Sequence, residues 1–203
     1  MTEDATSWLF DAPAERVATG ELVLRRFEAG DVDELVEAVN DSLEHLRPSM
    51  PWAQYPATDQ SIEEFLEQSD VAWTEGREFQ FAIRGRRGPR SDALIGSCGL
   101  HNRLGVGALE IGYWVRVGCT RRGVATMAAG GLTRSAFALG GVRRVEIHCD
   151  ATNAKSVSIP PKLGFRLDRV VERSPDAPGS SGRAMIWVID AEVGNTPSGT
   201  ARA

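Results

Sequence analysis

A strand, a glycine-containing turn and a helix follow one another between residues 108 and 139, and this run constrains the fold more than any other part of the sequence. Its first segment, Ala108 to Val115, mixes aromatic and β-branched residues, which favour strands. Its last segment, Val124 to Leu139, repeats apolar residues at helical spacing. The turn between them, Thr120 to Thr126, is therefore predicted to be a strand-to-helix junction.

This turn has the composition of an anion-binding site. The first N–H groups of a helix have no partner in their own helix, and the helix dipole places partial positive charge there, so a phosphate satisfies both. Gly123 lets the backbone approach an anion closely, and two arginines add positive charge. The predicted pyrophosphate-binding residues are Arg121, Arg122, Gly123, Val124, Ala125 and Thr126. Taken alone, Arg-Arg-Gly is equally consistent with an ordinary solvated turn, so the neighbouring segments have to decide.

Several neighbouring segments occur in a recognisable order. They are Glu110–Trp114, the turn itself, Arg143–Ile147, Asn153–Ser156 and Lys162–Phe165, preceded by Leu22–Arg26 and His45–Trp52. In this order and spacing the sequence resembles the GCN5-related N-acetyltransferase (GNAT) superfamily, and within it the Rim-type branch, which acts on ribosomal-protein N-termini. One position differs, because Thr120 stands where the family usually has Gln or Arg.

The resemblance implies an α/β fold in which helices and a mixed sheet are combined (α+β). Its central mixed sheet is mostly antiparallel, has about seven strands and is flanked by about four helices, and its fourth and fifth strands splay apart. The expected domain organisation is an N-terminal tail over residues 1–19, a single N-acetyltransferase domain over residues 20–192 and a disordered C-terminal tail over residues 193–203. A continuous helix is expected to run to the Lys162–Phe165 segment.

Composition limits the function classes. With 203 residues and 42% hydrophobic residues the chain can bury the core of one domain. A net charge of −5 argues against a general nucleic-acid binder. Three cysteines without disulfide or metal-ligand spacing favour reduced thiols in the cytoplasm and no bound metal. No signal peptide or membrane-spanning segment is expected, because no long apolar run is present.

Two residues are candidates for proton transfer. Glu110 lies in an otherwise apolar strand, where a charged group costs free energy unless it has a task or a partner, and it is the predicted general base. The alternative is a strand Glu that faces solvent. His101 at a strand end is predicted to position the amine or relay its proton, although a lone histidine there is more often a plain hydrogen-bonding residue.

The resemblance implies further contacts to the coenzyme. N–H groups around Trp114, Val115 and Val117 would hold the pantetheine arm, and Asn153 would bond to it from the opposite strand. Ser156 would lie near the thioester sulfur and protonate the leaving thiolate, with water as the competing acid. For Asn153, a helix N-cap explains the residue type equally well. No tyrosine suited to the role of general acid is evident from the sequence.

The expected function is an acetyl-CoA-dependent N-acetyltransferase in which a primary amine attacks the thioester directly in a ternary complex. A peptide or protein N-terminus is the favoured acceptor, and a small amine or a CoA-binding sensor without turnover are the alternatives. The proline-rich loop His45–Pro56 and the loop Ser174–Gly182 are predicted to form the acceptor pocket. A homodimer is plausible, and neither nucleic acid nor membrane is expected as a partner.

Overall fold

Eight β-strands form one sheet in the computed structural model, which describes residues 12–86 and 91–191. The strands are β1 Arg16–Thr19, β2 Leu22–Arg26, β3 Glu78–Gly85, β4 Leu94–His101, β5 Ala108–Val115, β6 Arg144–Asp150, β7 Arg166–Glu172 and β8 Arg183–Asp190. Their order across the sheet is β1-β2-β3-β4-β5-β6-β8-β7. Neighbouring strands are antiparallel except β5 and β6, which are parallel. The predicted mixed, mostly antiparallel sheet is confirmed.

Four α-helices occur in the described ranges, as predicted. They are α1 Val32–Leu46, α2 Asp59–Thr74, α3 Val124–Phe137 and α4 Ala154–Val157. Thr58 caps α2, since its side chain accepts a hydrogen bond from the Ser61 N–H. Asp31 precedes α1, but its buried carboxylate pairs with Arg25 and Arg84 instead of the helix N–H groups.

Two expectations about the elements need correction. The sheet has eight strands rather than about seven, because Arg16–Thr19 pairs with β2 and adds a strand within residues 1–19. The expected continuous helix up to Phe165 is instead the single turn α4 followed by a 3₁₀ turn over Pro160–Leu163. The two prolines explain the break, because proline has no N–H to continue a helix. The boundaries at residues 20 and 192 stay predictions, and the C-terminal tail, 193–203, lies outside the described residues.

The predicted splay lies between β5 and β6, the fifth and sixth strands here because β1 precedes them. Their pairing covers Ala108–Arg144, Leu109–Val145 and Glu110–Glu146 and then ends. Beyond Glu110, β5 stays paired with β4 as far as Val115, while β6 stays paired with β8. A gap therefore opens in the middle of the sheet.

The helices cover the two faces of the sheet. Helix α3 packs in the main core with residues such as Leu109 and Val145. Helix α1 packs in a second cluster that includes Ala82 and Leu94. Because successive strand residues point to opposite faces, Glu110 and Tyr113 of β5 lie on different sides of the sheet. The gap between β5 and β6 thus connects a face bearing Glu110 with a face bearing Tyr113.

Candidate active site

The turn before α3 presents a run of unpaired backbone N–H groups. Gly123 has φ of 75° and ψ of 5°, and Arg121 also has a positive φ of 60°, so both depart from the usual right-handed conformation. None of the described residues accepts a hydrogen bond from the N–H groups of residues 121–126. The N–H groups on either side are occupied, because Thr120 donates to Val117 and Met127 donates to Gly123. The free groups fit the anion-binding role predicted for the turn.

A cavity of about 870 Å³ extends from this turn towards the gap between β5 and β6. Nine of the predicted cofactor-binding residues line it: Trp114, Val115, Arg121, Gly123, Val124, Ala125, Thr126, Asn153 and Ser156. Arg122 and Val117 are not part of the lining. The Val117 N–H already donates to the Ser42 hydroxyl at 3.0 Å, so it offers no free group to a ligand.

A second cavity, of about 810 Å³, lies on the Glu110 face of the sheet. The two loops predicted for the acceptor pocket both line it, and they touch through the Gly179 N–H, which donates to Pro48 O at 2.9 Å. Gly179 leaves no room for a side chain there, since a Cβ would lie 2.6 Å from the same oxygen. Trp52 stands at the rim with its ring 5.9 Å from that of Trp114.

The two cavities meet where β5 and β6 separate. Tyr113, Trp114, Asn153 and Ser156 line both of them. A ligand in one cavity can therefore reach a ligand in the other at this point, through the gap in the sheet.

Glu110 is a buried, paired carboxylate at the base of the second cavity. It is 7% exposed, and Arg103 donates to both of its oxygens, at 2.7 and 2.9 Å. Burial alone would raise the pKa of Glu110, but chiefly the hydrogen bonds from Arg103 hold it below its usual value. The solvent-facing alternative is therefore wrong, and the free energy of burial is offset by the arginine.

His101 lies beside Glu110 on the neighbouring strand. Its Nδ1 is 3.2 Å from Glu78 Oε1, and this contact holds the pKa of Glu78 below its usual value. The ring lies over Gly112, where a Cβ would come within 2.9 Å of Nε2. The role of His101 in catalysis stays a prediction, since its pairing with Glu78 also accounts for its position.

Asn153 and Ser156 lie at the start of α4, on the other side of the gap. Asn153 is the N-cap of α4, because its side-chain oxygen accepts from the Ser156 N–H at 3.2 Å. The Ser156 hydroxyl lies 3.0 Å from the Tyr113 hydroxyl and 3.2 Å from Cys149 Sγ. Burial raises the pKa of Cys149 to about 11 and also raises that of Tyr113, so both groups keep their protons.

No tyrosine suited to the role of general acid was evident from the sequence, but Tyr113 lies where the two cavities meet. Tyr113 lies 43 residues before Ser156 in the chain, and only the divergence of β5 from β6 brings the two hydroxyls together. A second missed residue is His148, which lines the cavity that contains Glu110. Its signal in the sequence was its position two residues after Glu146, since such residues share one face of a strand.

Comparison with known families decides the classification. The family description "Acetyltransferase (GNAT) domain" matches residues 21–166, most of the chain. The chain belongs to the GNAT acetyltransferases. No curated protein matches this GNAT acetyltransferase significantly.

Solved structures with the same fold include three with bound coenzyme. RimL, a ribosomal L7/L12 α-N-protein acetyltransferase in complex with CoA, has a TM-score of 0.76 and 19% identity over 87% of this chain and 98% of its own. Mycobacterium smegmatis RimJ with CoA-disulfide has a TM-score of 0.76 and 21% identity over 87% of this chain and 86% of its own. The microcin C7 self-immunity acetyltransferase MccE, with acetyl-CoA and AMP, has a TM-score of 0.75 and 21% identity over 84% of this chain and 93% of its own.

Within residues 12–86 and 91–191, no helix has the length and apolar character needed to cross a membrane. The same ranges contain no group of three or more His, Cys, Asp or Glu side chains arranged to hold a metal ion.

Proposed function

We propose that the chain transfers an acetyl group from acetyl-CoA to a primary amine, by direct attack of the amine on the thioester in a ternary complex. The observation that supports this most is the junction of two cavities at the gap between β5 and β6. One cavity is lined by residues 121 and 123–126 with their free N–H groups, and the other contains the charged groups around Glu110. Direct transfer requires two ligands to meet in this way.

The turn before α3 would hold the coenzyme through its diphosphate. Hydrogen bonds to a charged group are worth about 1.5–3 kcal/mol each, so three or four of them bring CoA into the micromolar range after the cost of association. The backbone of β5 at Trp114 and Val115 no longer pairs with β6 and would bind the pantetheine arm. Acetyl-CoA supplies the acetyl group as an already reactive thioester.

Tyr113 would act as the proton donor to the leaving sulfur. Burial keeps its hydroxyl protonated until the thiolate forms, and the hydroxyl lies 3.0 Å from that of Ser156, where the two cavities meet. This placement favours an enzyme over a CoA-binding sensor without turnover. The proton donor at Tyr113 and the charged groups at Glu110 lie on opposite faces of the sheet, so the amine would enter from one face and the sulfur would leave towards the other.

The favoured acceptor is the N-terminal amine of a peptide or protein. An α-amine has a pKa of about 8 against about 10.4 for lysine, so it needs a weaker base. The exposed rings of Trp52 and Tyr55 at the cavity rim offer surface to the residues that follow the amine. The shared fold with RimL and RimJ supports the same choice. We place the enzyme in the cytoplasm, as a monomer or homodimer, without nucleic acid or membrane as a partner.

The test is an acceptor competition. The protein is incubated with acetyl-CoA and a mixture of short peptides with free N-terminal Ser or Ala, N-terminally blocked peptides containing lysine, and small amines, and the products are read by mass spectrometry. We expect acetylation of free N-termini. Acetylation confined to small amines would refute the acceptor assignment. Binding of acetyl-CoA without any acetylated product would refute the enzyme assignment in favour of a sensor.

A further inference from the structure

His148 lies in the second cavity, beside Glu110. It lies on β6, two residues beyond Glu146, where the pairing of β6 with β5 ends. Its side chain is 9% exposed and lines the cavity that contains Glu110. An imidazole at this point lies beside the gap through which the two cavities connect.

The partners of His148 fix the location of its ring proton. Nε2 is 2.6 Å from Glu146 Oε2, and Arg173 donates to Nδ1 at 3.1 Å. A guanidinium has donors only, so Nδ1 must accept in this contact. The neutral ring therefore carries its proton on Nε2, directed at the Glu146 carboxylate, and has its lone pair on Nδ1.

The lone pair on Nδ1 is in a position to take up a proton. Nδ1 is 3.5 Å from Glu110 Oε2, so a proton arriving there would lie against a carboxylate. Glu146 would stabilise the resulting imidazolium from the Nε2 side. Glu110 itself is a poorer proton acceptor, because both of its oxygens are engaged by Arg103 and its pKa is held below the usual value.

Three charged groups contact the ring of His148. Glu110 belongs to β5, Glu146 to β6 itself, and Arg173 to the segment that follows β7. Arg103, from the connection between β4 and β5, stands behind Glu110. The exposed guanidinium of Arg173 covers Nδ1, and the Glu146 carboxylate lies at Nε2.

We propose that His148 is the catalytic base that takes the proton from the acceptor amine, that Glu146 is its positioning residue, and that the acceptor displaces Arg173 from Nδ1. This inference rests on the proposed acetyltransferase function. In the step, the amine nitrogen forms a bond to the thioester carbon and gives one proton to Nδ1. The carbon–sulfur bond breaks, and the departing CoA sulfur takes the proton of the Tyr113 hydroxyl. Solvent then returns a proton to Tyr113, and the imidazolium of His148 releases its proton to solvent.

The experiment compares the pH dependence of turnover in four proteins: wild type, His148→Asn, Glu146→Gln and Arg173→Ala. A single acceptor peptide with a free N-terminal Ser is used throughout, so that the titration of its own amine is common to all profiles. We expect His148→Asn to lower kcat by about 100-fold or more, the contribution typical of general-base catalysis. Loss of the carboxylate in Glu146→Gln should move the acid limb of the kcat–pH profile to lower pH. Loss of the cation in Arg173→Ala should move it to higher pH.

Opposite shifts from two residues that flank one ring are the result that a merely structural role for His148 would not produce. Arg173 is exposed, so its removal leaves the fold intact, and CoA affinity measured by calorimetry reports folding of the other variants. If kcat of a folded His148→Asn stays within about threefold of wild type, or the acid limbs of both flanking variants coincide with that of wild type, the inference is overturned while the proposed function stands. If wild type itself releases no thiol with any acceptor, both are overturned.

Discussion

Replacing Gly123 by Glu tests how the coenzyme is held. The change introduces a carboxylate into the proposed anion site at the N–H groups of residues 121–126. A Cβ at Gly123 meets no heavy atom within 4 Å, so the protein itself tolerates the added volume, and the positive φ of 75° costs about 1 kcal/mol of folding stability. The new side chain instead occupies space that the diphosphate needs and adds charge repulsion.

The size of the effect follows from the hydrogen bonds at stake. Losing two charge-assisted bonds of about 1.5–3 kcal/mol each removes about 3 kcal/mol or more. Since 1.4 kcal/mol is a tenfold change, the affinity for CoA should fall by about 100-fold or more. Repulsion between the carboxylate and the diphosphate adds to this loss.

Calorimetric titration with CoA measures this affinity, and the chain offers a matched control. Gly105 has a positive φ of 89° and likewise has no heavy atom within 4 Å of a built Cβ, but it lines neither cavity. Gly105→Glu carries the same added charge and a similar backbone cost, so it should bind CoA like wild type. A folded Gly123→Glu protein whose affinity stayed within about threefold of wild type would show that the turn does not hold the diphosphate.

Two further outcomes are expected. Tyr113→Phe removes the hydroxyl that contacts Ser156, so turnover should fall by about 100-fold or more, the usual size of general-acid effects, with CoA affinity unchanged. Wild-type turnover would exclude Tyr113 as proton donor. Burial alone would raise the pKa of Asp150, but hydrogen bonds from Thr152, Ser180 and Ser181 hold it well below its usual value. The carboxylate therefore stabilises the fold above the ordinary Asp pKa of about 3.9 and loses this effect as the pH falls further. Urea unfolding at several pH values should show wild type more stable than Asp150→Asn at pH 5–7, with the difference shrinking below about pH 4; a difference independent of pH would contradict this.

The turn at Gly123 could be predicted from the sequence because its chemistry is local. A strand, a glycine and the start of a helix are neighbours in the chain, and the free N–H groups follow from helix geometry alone. The gap between β5 and β6, in contrast, was an implication of the family resemblance, since a register such as Glu110 opposite Glu146 depends on the whole sheet.

The residues that the sequence did not reveal are those defined by distant contacts. Tyr113 is in contact with Ser156, and His148 with Glu110 and Arg173, all of which lie on other strands, helices or loops. Glu110 was singled out correctly as a charged group in a buried strand, but the sequence could not show that Arg103 binds both of its oxygens. A buried charge indicates either an ion-pair partner or a functional role, and only the structure distinguishes the two.

The most direct test is the crystal structure of the protein with CoA bound. Our account predicts that the diphosphate oxygens lie at hydrogen-bonding distance, about 2.7–3.2 Å, from the N–H groups of residues 121–126, with the pantetheine arm between β5 and β6. A diphosphate bound elsewhere, or those N–H groups bonded to protein oxygens, would contradict it.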